Sequence, residues 1–161
     1  MNSATSFYVN TVRTAAPSSL HYMLLTGTLS SVAQANSANF TLSGFDSNYV
    51  SANGGQSVTL APGVWRANAN VTFGQPVTGT GTSWCALYFN VSGTNARANP
   101  PMMQTNAEFN GWYANNGSKL YGVSDLYLPS GGTLTLALQN SVGATITNAT
   151  LKVSLKQISS Y

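Results

Sequence analysis

Between Gln56 and Gly74 the chain reads QSVTLAPGVWRANANVTFG. Its second half alternates strictly: Trp65, Ala67, Ala69, Val71 and Phe73 fall on one side, and Arg66, Asn68, Asn70 and Thr72 on the other. A period of two is that of a strand with one buried and one wet face. Pro62-Gly63 splits the stretch, and this turn dipeptide between two alternating runs predicts a hairpin. A lone hairpin is marginal in water, so the pattern also predicts a larger sheet around it.

The rest of the chain supplies strands of the same kind. Leu20–Leu29 is the first expected strand, Asn39–Phe45 a short one, and Asn53-Gly54-Gly55 a turn before the central hairpin. Trp84–Val91 places Cys85, Leu87, Phe89 and Val91 on one wholly apolar face, which predicts a central strand. Lys119–Leu128 and Gly132–Leu138 make a second pair around Pro129-Ser130-Gly131, and Ile146–Ile158 closes the chain. Gln75–Ser83 reads as a loop. Gly93–Gly117 is the least regular stretch, with a short strand expected near Met103–Phe109; a connection of that length is usually functional or at an interface. With no helical period anywhere, the expected class is all-β: an antiparallel β-sandwich, a jelly roll of about eight to ten strands.

Two segments resemble a known family. QSVTLAPGVWRANANVTF is similar to the central strands of tumour-necrosis-factor-like and complement-type globular heads, where a proline-glycine turn leads into a Gly-Val-aromatic strand. Ser124–Asn140, SDLYLPSGGTLTLALQN, is similar to that family's later strands. With the closing strand, the resemblance covers about the C-terminal two-thirds of the chain. It implies a jelly roll that assembles as a homotrimer. Such heads occur on secreted signalling proteins, spore surfaces and bacteriophage virions alike, so the fold alone does not choose among functions.

The 161 residues fit one domain with a sizeable core. Residues 20–161 are expected to form it, and residues 1–19 an N-terminal arm or edge strand, with Pro17 biasing its neighbour toward an extended backbone. Charged side chains make up only 6% of the chain, far below an ordinary soluble domain, while 43% hydrophobic residues in alternating runs exclude general disorder. A surface of Ser, Thr, Asn, Gln and Gly suits crowding among many copies, because it avoids like-charge repulsion. The net charge of +3 comes from scattered Arg13, Arg66, Arg97, Lys119, Lys152 and Lys156. No basic patch or arm is present to neutralise several phosphates, so nucleic acid is not an expected partner. Nor is a membrane, since no uninterrupted apolar stretch approaches a span. Leu20–Ala35 imitates a signal peptide but is interrupted by His21, Thr26, Gly27 and Thr28. Cys85 is the only cysteine, which excludes an intrachain disulfide and fits synthesis in a reducing host cytoplasm.

Candidate chemistry is sparse. The acids are Asp46, Glu108 and Asp125, and each has a structural reading at a loop, an irregular stretch or a strand start. His21 has no second histidine or nearby cysteine for a metal, and nucleophile-elbow, phosphate-loop and cysteine-based zinc motifs are missing. Neither an enzyme nor a cofactor is expected. The binding candidates are Trp112, Tyr113, Asn115 and Asn116, where aromatic faces beside amides suit either a subunit interface or host-surface glycan. Tyr88 is a further candidate for trimer contacts, and Phe7, Tyr8, Val9 and Arg13 are the candidate capsid-contacting arm. Five Asn-x-Ser/Thr sequons occur, at Asn39, Asn70, Asn90, Asn116 and Asn148, about as many as so Ser/Thr-rich a chain holds by chance. The expectation is a homotrimeric virion protein of a bacteriophage that decorates or cements the capsid surface, with the major capsid protein of the same virion as partner. The alternative is the receptor-binding head of a fibre or spike.

Overall fold

The structure, a computed structural model, describes residues 21–44, 51–52, 55–74, 84–106, 119–141 and 145–160. These form two antiparallel sheets packed as a sandwich, and the described residues hold twelve strands, several only two to four residues long. The first sheet runs in the order β3 (Thr41–Gly44), β1 (Tyr22–Val32), β12 (Ile146–Ser159), β6 (Gly63–Thr72), β10 (Lys119–Leu128), β8 (Arg97–Asn99). The second runs β4 (Ser51–Ala52), β5 (Ser57–Leu60), β11 (Gly132–Asn140), β7 (Trp84–Ser92), β9 (Met102–Asn106), with β2 (Asn36–Asn39) also pairing β11.

The alternation read from the sequence sets which faces meet. Trp65, Ala67, Ala69, Val71 and Phe73 all point into the core, none more than 5% exposed. Cys85, Leu87 and Phe89 of β7 face them from the other sheet with Leu134, Leu136 and Leu138 of β11. Burying each such Leu or Phe stabilises by about 1.5–3 kcal/mol, which makes this inter-sheet layer the main source of stability. Two polar side-chain groups inside it are satisfied. The Trp65 indole N–H donates to the Ala61 carbonyl at 2.9 Å, and Asn140 Nδ2 donates to the Val32 carbonyl at 3.1 Å.

Two expected connections differ. Pro62-Gly63 does not close a hairpin: β5 belongs to the second sheet and β6 to the first, so the turn is a corner that carries the chain across the sandwich. The same holds for Pro129-Ser130-Gly131, which leads from β10 in the first sheet to β11 in the second. Period and turn residues are identical for a hairpin and a corner. What separates them is which strands pair edge to edge, and β6 pairs with β12 and β10 rather than with β5. The expected strand Asn39–Phe45 likewise splits, with β2 paired to β11 and β3 paired to β1 on either side of the fully buried Phe40.

Candidate interaction face

The outward face of the first sheet is described without a break across β1, β12, β6 and β10, so its side chains can be placed row by row. One row is Tyr22, Lys156, Arg66 and Asp125; the next Leu24, Ser154, Asn68 and Val123; the third Thr26, Lys152, Asn70 and Tyr121. Polar positions of the alternating strands were expected here, and most are polar. Yet of the six large hydrophobic side chains exposed among the described residues, four lie on this face: Tyr22 at 50%, Leu24 at 45%, Tyr121 at 61% and Val123 at 47%. They form two apolar pairs, Tyr22 and Leu24 on β1 and Tyr121 and Val123 on β10, on either side of a polar centre on β12 and β6, and exposed apolar groups gathered on one face mark it as a candidate interaction surface. The signal was in the sequence: β1 and β10 break strict alternation, placing Tyr22, Leu24, Tyr121 and Val123 where β6 carries Arg66, Asn68 and Asn70.

A groove of about 380 Å³ runs between β1, β12 and β6 on this face, lined by Leu24, Thr26, Asn68, Lys152 and Ser154. Asn68 Nδ2 donates to Ser154 Oγ at 3.4 Å across it. Beside it, Arg66 grips Asp125 in a two-pronged pair, with Nε to Oδ1 at 2.8 Å and Nη2 to Oδ2 at 3.0 Å. Those hydrogen bonds hold the Asp125 carboxyl below the usual carboxylate range and raise the Arg66 guanidinium further. The exposed pair fixes side-chain geometry more than it adds stability. Asn70 Oδ1, between Lys152 and Tyr121, is buried and accepts no hydrogen bond.

A larger cavity of about 570 Å³ opens where the two corners meet, lined by His21, Met23, Leu60, Pro62, Trp65 and Gly131. Its chemistry is committed to structure. The His21 ring stacks on Trp65, with centroids 6.3 Å apart and planes 14° from parallel, and the indole N–H is already bonded to Ala61. Among the described residues no group of three or more His, Cys, Asp and Glu side chains converges as a metal site would need.

Of the residues singled out in the sequence, Trp112, Tyr113, Asn115 and Asn116 lie outside the described residues, as do Phe7, Tyr8, Val9 and Arg13. Tyr88 sits half-buried on the outward side of β7, in the second sheet, and so apart from the apolar face. Cys85 is fully buried, and burial pushes its thiol up to about 12. Tyr22, Leu24, Tyr121 and Val123 were not picked out from the sequence, because each reads as one more apolar residue of a strand.

Neither family models nor curated proteins match this sequence. Solved structures do. The chain is similar to murine APRIL at pH 8.0 with a TM-score of 0.52 and 10% identity, over 86% of this chain and 100% of that one. A second murine APRIL structure, at pH 8.5, gives a TM-score of 0.46 and 11% identity over 83% and 98%. The fold is thus a jelly roll of the tumour-necrosis-factor-like kind; at such identity the likeness extends to fold alone.

Proposed function

We propose that this protein is a non-enzymatic virion component of a bacteriophage: a homotrimeric jelly-roll domain that decorates or cements the capsid surface, bound to the major capsid protein. The observation that supports self-association is the exposure of four large hydrophobic side chains on one sheet face, Tyr22 and Leu24 on β1 and Tyr121 and Val123 on β10. Four strands spaced about 4.8 Å apart and about 30 Å long present roughly 600 Å², most of the roughly 800 Å² per partner of a standard interface, so a stable contact would also take in residues at the margin of this face. The virion context rests on composition: with 6% charged residues, the surface tolerates close packing of many copies. Repetition over three copies gives avidity, so weak single contacts with a lattice suffice.

Light scattering on purified protein should return the mass of a trimer, and a monomer at micromolar concentration would refute self-association. Immunogold labelling of source particles should then place the protein evenly over the head. Label confined to a tail tip or vertex would support instead a receptor-binding head facing host-surface glycan, and unlabelled particles would end the virion reading.

A further inference from the structure

Resting on the reading that this protein sits on another protein of the virion, we infer that the seat is the part of the first sheet from β12 through β6 and β10 to β8, and that the partner meets it with carboxylates around an apolar side chain. The basic residues are scattered in the sequence, and the fold gathers them. Arg66, Arg97, Lys119, Lys152 and Lys156, every lysine and arginine among the described residues, stand on the outward face of the first sheet. No described strand of the second sheet carries a charged side chain. Asp125 is the one acidic side chain among the described residues, and Arg66 holds it. The other four cations have no counter-charge, so the described domain has a positive side and a neutral one.

The positive side has an apolar centre. Tyr121 and Val123, 61% and 47% exposed, stand inside the set of cations. Lys119 precedes them on β10, Lys152 shares the row of Tyr121 two strands away, and beyond Asp125 the Arg97 guanidinium lies 4.7 Å from the centroid of the Tyr127 ring. An apolar seat with a polar rim is the anatomy of a protein interface. The groove adds donors for a carboxylate, because Lys152 lines it beside the Asn68 amide and the Ser154 hydroxyl. Nucleic acid matches this surface poorly. Four free cations over about 27 Å of strand are sparse beside a duplex with about one charge per 1.7 Å of axis, and Tyr121 and Val123 would lie against phosphates. A second copy of the same patch would set like charges against each other. The flank of β1 and β3 holds Tyr22 and Leu24 and no charged side chain, which narrows self-contact to that flank.

The test is rebinding of the full chain to source particles grown without it, read as an apparent Kd. Lys152→Gln with Lys156→Gln should weaken binding roughly tenfold and flatten its salt dependence, while Lys152→Arg with Lys156→Arg should bind as the parent does. Tyr121→Ser should also weaken it roughly tenfold, as loss of an interface anchor does, without lowering Tm. Thr59→Glu with Asn90→Glu makes the same change in net charge on the outward side of the second sheet, and should leave the Kd unchanged. Particle binding that neither the glutamine pair nor Tyr121→Ser disturbs overturns the inference and leaves the virion reading standing. Equal losses from the glutamine pair and the second-sheet pair also overturn it, because net charge rather than this face would then govern binding. A short DNA duplex bound as tightly as the particles would make the face a general polyanion surface instead. Glutamine variants that alter the mass of the assembly but not particle binding would give the face to a second copy. A parent chain that does not bind particles ends the virion reading and this inference with it.

Discussion

Gln157 Nε2 donates to the Pro62 carbonyl at 2.8 Å, tying the end of β12 to the corner between β5 and β6. The same side chain accepts from the His21 backbone N–H at 3.3 Å, and the Gln157 N–H donates to the His21 carbonyl at 2.8 Å. One glutamine, 4% exposed, thus joins the start of β1, the end of β12 and a sheet-to-sheet corner. Gln157→Leu keeps the volume but leaves two backbone groups without partners. It should cost about 1–3 kcal/mol, read as a fall in Tm of about 2–4 °C per kcal/mol in a domain of this size. An unchanged Tm would show that water replaces the amide.

Gly132 begins β11 beneath the carbonyl of Ser92, so close that a Cβ there would collide with that oxygen and approach the carbonyl carbon to 3.1 Å. Ser92 ends β7, which pairs with β11 along its length, so neither backbone can retreat without unzipping the ladder. Gly132→Ala should destabilise by about 1–3 kcal/mol, the cost of overpacking a tight site. Denaturant titration checks this, with a lowered midpoint and unchanged slope expected.

Asp125 titrates below the ordinary carboxylate range because Arg66 bonds its charged form. A depressed folded pKa gives stability that is present above the unfolded pKa and is lost as pH falls through the folded one. Thermal melts from neutral to acid pH should therefore show a small loss in the carboxylate range that Asp125→Asn removes. A variant with the same acid profile as the parent would mean that the pair contributes nothing to folding.

Cys85 is sealed between the sheets, with its thiol donating weakly to Asn140 Oδ1 at 3.9 Å. With a pKa raised to about 12, it carries almost no thiolate at pH 8. Ellman's reagent should find no reactive thiol in the folded protein and one per chain in guanidinium. Fast labelling of the native state would reveal an opening between β7 and β11.

Strand positions and core faces were legible because period two and burial are the same fact seen twice: every inward residue of the Trp65–Phe73 run is buried. Connectivity was not. Pro62-Gly63 and Pro129-Ser130-Gly131 read as hairpin turns, and only the pairing of β6 and β10 in one sheet and of β5 and β11 in the other shows them to be corners. Their packing against each other is so close that a Cβ added at Gly131 would lie 3.3 Å from Pro62 Cδ; it joins positions far apart in the chain and leaves no local trace. The interaction face was half legible. Tyr121 and Val123 announce a strand, but whether they are core or surface depends on which side of β10 meets β7.

The pairing of β1 with β12, Tyr22 to Lys156 through Val32 to Ile146, joins the first described strand to the last. During synthesis, Met23 and Leu25 leave the ribosome long before Leu155 and Val153 exist to cover them. The first sheet cannot close until β12 has emerged, so this domain folds only after its last strand has been made. A nascent chain stalled before Ile146 is a sticky intermediate, and the cell has to shield it until the final strand arrives.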